Sequence, residues 1–124
     1  MNAILPEGVE QQLRSAEPLS PELQRLMRKA RGASDFLKAL AHESRLLLLC
    51  LIAERERSVM ELEEILSLRQ PNVSQQLARL RLDGLVDTRR DGKIIYYRLA
   101  NDDVRRMITV IYDIFCANGD AKGR

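Results

Sequence analysis

Between Ser58 and Leu99 the hydrophobic period changes from helical to alternating, and that order restricts the fold more than any other stretch. Val59, Leu62, Ile65 and Leu66 recur at helical spacing. Ser58 followed by Glu61 has the form of a reciprocal cap, in which each side chain satisfies an orphan backbone donor. A second helix is expected from Gln70-Pro71, where the missing proline N–H costs nothing. It would bury Val73, Leu77 and Leu80 and stop at Gly84, a residue suited to the left-handed conformation. Leu85–Arg90 and Lys93–Leu99 then read as strands joined by Asp91-Gly92, a two-residue hairpin signal. Helix, turn, helix and hairpin together outline a winged helix-turn-helix.

The flanks complete a mainly α fold with one β-hairpin (α+β), in the order four helices, two strands and a closing helix. A chain of 124 residues has room for one modest core. Residues 1–18 contain Pro6, Gly8 and Pro18 without a sustained period, which predicts a flexible tail. Ser20-Pro21-Glu22 opens the first helix, whose apolar positions are Leu23, Leu26, Met27, Ala30, Leu37 and Leu40, with Gly32 weakening its middle. The next helix, about Glu43 to Glu54, is apolar on every side over Leu46–Ile52 and is expected to be enclosed all round. Asn101-Asp102-Asp103 supplies a cap and favourable charge for the last helix. The expected DNA-binding and dimerisation domain therefore spans 19–118, with a short tail at 119–124. The apolar run Leu46–Ile52 is too short to span a bilayer, and the chain opens without a basic, long-apolar leader. A cytoplasmic protein with no membrane partner and with reduced thiols is the expectation.

A net charge of +2 is uninformative, but its distribution is not. Residues 54–67 carry −3, whereas residues 69–98 carry +4, so positive charge collects on the second helix of the pair and on the hairpin. With Val73, Leu77 and Leu80 turned inward, Asn72, Gln75, Gln76 and Arg79 face outward and Ser74 lies at the edge. Asn and Gln pair with adenine edges, and Arg with guanine or phosphate. Arg69 and Gln70 stand at the entrance of that helix. At the hairpin tip the expected turn sets Arg90 opposite Lys93, with Arg89 beside them, a like-charge pairing that an anion would relieve. An operator DNA duplex is the partner these residues suggest; an ordinary solvated face is the bland alternative. Tyr96 and Tyr97 alternate faces, so one of them should pack on the core.

Val104, Met107, Ile108, Ile111, Ile114 and Phe115 form a stripe on the last helix, where few elements remain to cover it. A two-fold homodimer would bury it, together with Leu23, Leu26 and Met27 of the first long helix. Packing on its own domain is the simpler use of the same stripe. A lone histidine, His42, and the lack of any nucleophile–base constellation argue against an enzyme. No cofactor or metal is expected, since the usual ligand combinations are missing. Cys50 and Cys116 lie 66 residues apart, and a free cysteine is by default a small buried hydrophobe.

Leu40-Ala41-His42-Glu43-Ser44-Arg45-Leu46, Gln70-Pro71-Asn72-Val73-Ser74-Gln75-Gln76-Leu77, Leu82-Asp83-Gly84-Leu85-Val86 and the wing from Arg90 to Tyr97 resemble the ArsR-type family of bacterial winged-helix repressors, over about Leu37 to Ala117. The resemblance implies a homodimer on an inverted-repeat operator, released by an inducer. One departure is Arg69, which stands where the family often has a capping serine; that weakens the cap by ~1 kcal/mol and offers a group for phosphate. The family's cysteine metal ligands have no counterpart in Ser58-Val59-Met60-Glu61-Leu62. Cys50 and Cys116 instead resemble the cysteine pair of its sulfide-responsive, SqrR- and BigR-type branch. Carried over, they are a sensing dithiol that persulfides or polysulfides join through sulfur. Oxidants or thiophilic metal(loid)s acting on the same thiols, and a winged-helix module that binds proteins, are the alternatives.

Overall fold

The computed structural model describes residues 4–117, with the side chain of Ala117 left aside. The chain divides between Lys38 and Ala39 into two compact units, rather than at the expected boundary after residue 18. The expected tail at 119–124 lies outside the described residues.

In the first unit, residues expected to form a flexible tail include a helix, α1 (Val9–Arg14). Val9 is buried, and Arg14 pairs with Glu10 one turn back at 2.8 Å, which supports so short a helix. Gln12 Oε1 accepts the Ser20 backbone N–H at 3.2 Å, tying α1 to the start of α2 (Pro21–Ala39). Pro21 occupies the first helical position, and Ser20 Oγ accepts the Leu23 N–H at 3.2 Å, so the expected cap is present.

The second unit runs α3 (Glu43–Glu54), β1 (Arg57–Ser58), α4 (Val59–Leu66), α5 (Val73–Leu82), β2 (Val86–Asp91), β3 (Ile94–Leu99) and α6 (Asp102–Tyr112), with a π-turn over Asp113–Ala117. The helix-turn-helix and hairpin stand in the expected order. The strand β1 is an addition: its two residues pair antiparallel with Tyr97 and Tyr96, giving the sheet order β1-β3-β2. The core is drawn from one face of each element, with Leu48, Leu49, Ile52, Leu62, Leu77, Leu80 and Val86 fully enclosed. Tyr97 joins them while Tyr96 lies on the other face. In contrast to the all-round burial expected of α3, Leu47 is 43% exposed, and full burial is confined to Leu48, Leu49 and Ile52.

Local chemistry explains the element ends. Gly84 has φ 80°, and its N–H and that of Leu85 bond Arg81 O and Leu80 O at 3.0 Å each. This is the paired closure of a Schellman C-cap, as Gly84 suggested. Asn101 Oδ1 accepts the Val104 N–H at 3.0 Å and starts α6. The C-terminal carbonyls of α3 are covered from elsewhere in the unit. Arg57 Nε donates to Leu51 O at 2.7 Å, and Arg105 Nη1 of α6 donates to Ala53 O at 2.6 Å.

Candidate nucleic-acid interface and thiol pair

Of the two helices of the pair, α4 starts on a cap: Ser58 Oγ accepts the Glu61 N–H at 3.0 Å. The reciprocal half of the expected box is replaced, because the Glu61 carboxylate takes hydrogen bonds from Arg55 and from Arg57 Nη1, the latter at 2.9 Å. Partial desolvation pushes the Glu61 pKa up, but these hydrogen bonds and charges outweigh it and hold the carboxyl below its ordinary range. Arg57 is itself buried and binds Glu54 through Nη2 at 2.6 Å.

The second helix starts later than expected, at Val73 instead of Gln70-Pro71, so Pro71 lies in the turn and not at the first helical position. The N-cap is Asn72, in the left-handed region (φ 62°) and without a side-chain cap. Asn is one of the few non-glycine residues that tolerate this conformation. Asn72, Ser74, Gln75 and Arg79 are exposed on α5, as is Arg69 before it. Ser74 Oγ donates to Glu63 Oε2 of α4 at 2.8 Å, and Arg79 Nε to Asp83 at 3.2 Å. Gln76, expected to face outward with these residues, is half-buried. Its Nε2 donates to Pro71 O at 3.3 Å and its Oε1 is buried without a hydrogen-bond partner among the described residues. Gln76 thus ties α5 back to the turn before it. Gln70 is half-buried, and its Oε1 is in the same state.

In the wing, Asp91 pairs with Ile94, so the two turn residues are Gly92-Lys93, one place beyond the expected Asp91-Gly92. Gly92 has φ 64° and Lys93 lacks a positive φ, the pattern of a II′ turn, which wants glycine first. Arg90 consequently faces Ile95 and not Lys93, and the like-charge opposition expected there does not form. Arg89, Arg90 and Lys93 are all exposed. Arg89 Nε binds Glu56 Oε1 at 2.8 Å, with its Cζ 4.5 Å from the Tyr96 ring centre.

Both cysteines are free thiols in the second unit. Cys50 is half-buried on α3, and Cys116 is exposed in the π-turn that continues α6. Partial burial, the charge of Cys116 and the charge of Glu54 push the Cys50 thiol pKa up, in that order. Since the turn is i→i+5 bonded, the side chains at 113–116 do not follow the α-helical wheel.

The proposed dimer stripe splits on burial. Val104 and Ile108 are buried in the single chain and Leu23 is too, which removes them from the surface expected to meet a mate. Met27, Met107, Ile114 and Phe115 are exposed, whereas Leu26 and Ile111 are half-buried. Among the described residues no group of three or more His, Cys, Asp or Glu is placed to hold a metal ion, and no helix is long and apolar enough to cross a membrane.

Residues 42–88 match the family model for bacterial regulatory proteins of the arsR family. Over 90 residues the chain is 52% identical to the biofilm growth-associated repressor of Agrobacterium fabrum, covering 73% of this chain and 77% of that one. The chain belongs to the ArsR family. Reduced HlyU from Vibrio cholerae aligns with a TM-score of 0.68 at 40% identity, covering 75% of this chain and 98% of that one. The transcriptional repressor BigR from Xylella fastidiosa gives 0.66 at 41% identity, covering 76% and 96%.

The ArsR match opens at His42, the N-cap of α3, and closes within β2, so it takes in the helix pair and the start of the first wing strand. With such relatives the chain is a DNA-binding transcriptional regulator and not an enzyme. Glu56, Glu63 and Asp83, which hold Arg89, Ser74 and Arg79 of the expected reading surface, could not all be picked out from the sequence. Asp83 could have been found from its i,i+4 spacing to Arg79; Glu56 and Glu63 meet their partners across separations that no period marks.

Proposed function

We propose that this ArsR-family chain is a homodimeric repressor of an inverted-repeat operator, released when sulfur joins Cys50 to Cys116. The observation that carries the sensing step is that both free thiols, one on α3 and one in the turn that continues α6, belong to the same compact unit. The high sequence identity to BigR-type repressors supports the same branch. In the DNA complex, exposed Gln75, Asn72, Ser74 and Arg79 of α5 face base edges and phosphates in the major groove, flanked by Arg69 and Gln70. Arg90 and Lys93 at the wing tip meet the backbone. Met27, Met107, Ile114 and Phe115 supply exposed apolar surface for a second copy. The protein works in the cytoplasm, where its thiols stay reduced.

The chemistry balances with a polysulfide as oxidant. One thiolate attacks a sulfane sulfur, takes up a sulfur chain ending in S–H, and expels the shortened polysulfide. The second thiolate attacks the sulfur next to that terminal S–H, closing the bridge and releasing hydrosulfide. The two thiols lose two electrons and two protons, and sulfane sulfur is reduced to sulfide. A bridge longer than S–S spans sulfurs too far apart for an unstrained disulfide. Release by general oxidants through a plain disulfide is the second reading, favoured by the relative HlyU having been solved in a form designated reduced.

Intact mass after alkylation separates the two. Polysulfide should block both cysteines with added sulfur, whereas peroxide or diamide should leave them open to alkylation. A two-hydrogen loss without added sulfur under peroxide would favour the oxidant reading, and two freely alkylated thiols throughout would return both cysteines to a packing role.

A further inference from the structure

Several donors of the proposed reading surface are held by carboxylates of the same chain. One carboxylate serves two arginines from different strands. Glu56, at the corner between α3 and β1, takes Arg89 Nε of β2 on Oε1 at 2.8 Å and Arg98 Nη1 of β3 on Oε2 at 3.9 Å. The Arg89 guanidinium also stacks on Tyr96, its cross-strand neighbour, with 4.5 Å to the ring centre. None of the three charged side chains is sealed away: Glu56 is 32% exposed, Arg89 44% and Arg98 52%. An exposed ion pair of this kind is weak, and another anion of higher charge density can replace it.

We propose that Glu56 is an internal counter-ion of the wing, and that DNA phosphate must displace it from Arg89 and Arg98. Glu56 thereby sets the protein's affinity for DNA of any sequence. Phosphate contacts supply nearly all binding to random DNA, so two arginines held in reserve keep that binding weak. The base edges read by α5 are not touched by Glu56, so operator recognition is left to that helix. This proposal rests on the DNA-binding reading and is independent of the cysteines. It is also a role that charge counting hides, since residues 54–67 as a whole look like an ordinary acidic surface.

The test is a fluorescence-anisotropy titration of full-length protein on a random-sequence duplex over a series of salt concentrations. Glu56→Gln should bind several-fold more tightly than wild type at low salt. Its plot of log affinity against log salt should steepen by about 0.9 for each arginine released to a phosphate. Glu56→Ala must repeat the gain, and Glu56→Asp, which keeps the charge, must stay close to wild type. Adding Arg89→Gln to Glu56→Gln should remove at least half of the added slope. Unchanged or weaker binding by both neutral variants, with circular dichroism showing an intact fold, would overturn the proposal and make Glu56 a prop for the wing. Wild-type protein that binds no duplex at low salt would instead overturn the DNA-binding reading itself.

Discussion

The two helices of the DNA-binding pair begin in opposite ways. At the head of α4, Ser58 caps the Glu61 N–H, and the Glu61 carboxylate lies in the first turn, close to two arginines. At the head of α5, Asn72 is left-handed and makes no side-chain cap, and no acidic residue occupies the first turn. The buried sides of both helices follow the same rule, with Leu62 and Leu66 on α4 and Val73, Leu77 and Leu80 on α5. The difference is confined to the ends that face solvent. The head of α4 is satisfied from within its own first turn, whereas the head of α5 has no side-chain cap and meets a carboxylate only from outside the helix, where Glu63 of α4 takes the Ser74 hydroxyl.

The contrast can be broken from its strongest side first. Leu77 is fully buried, and Leu77→Ala should cost about 2–5 kcal/mol in urea unfolding. A loss below about 1 kcal/mol would mean that α5 is not part of the core. Next, Arg57→Met removes hydrogen bonds to Leu51 O, Glu54 and Glu61 from the α3–α4 corner. A loss of about 2 kcal/mol is expected, because charged hydrogen bonds are worth more than neutral ones; unchanged stability would make the corner dispensable. The caps sharpen the comparison directly. Ser58→Ala should cost about 1 kcal/mol, whereas Asn72→Gly should change stability by only a few tenths. Equal losses would mean that Asn72 is as much a cap as Ser58.

The smallest effect is a rate. Cys50 is half-buried with a raised thiol pKa, so its thiolate is scarce at neutral pH and grows as pH rises toward that value. Alkylation of Cys50 should lag behind that of exposed Cys116 at pH 7 and accelerate at alkaline pH. The same shift makes a stability contribution that is present below the unfolded thiol pKa and fades as pH rises through the folded one. Cys50 reacting faster than Cys116 at pH 7 would contradict this placement.

Signals held within a few residues were legible. Ser58, Gly84 and Asn101 act through backbone groups at most three or so positions away, and each stands where its type predicts. The same local rules misplaced what the partner strand or the turn decides. Asp91 is drawn into the ladder by Ile94, which moves the hairpin turn on to Gly92-Lys93. Pro71 fits the first position of a helix equally well as the turn before it, and left-handed Asn72 settles the matter. The outward row on α5 was readable from its period, but the inward bond from Gln76 to Pro71 O was not. Arg89 finds Glu56 across 33 residues, and only the folded sheet brings them together. The cysteine pair was suggested by family resemblance, since no periodicity connects a helix in the middle of the chain with a π-turn near its end.

In the proposed function one pair of thiols governs one DNA-binding surface. Its most direct test is operator binding by reduced wild type, Cys50→Ser and Cys116→Ser, each before and after treatment with a polysulfide donor. All three should bind when reduced, and only wild type should let go after treatment, with binding restored by a thiol reductant. Release of either single-serine variant to the same extent, or retention of DNA by the bridged wild type, would contradict it.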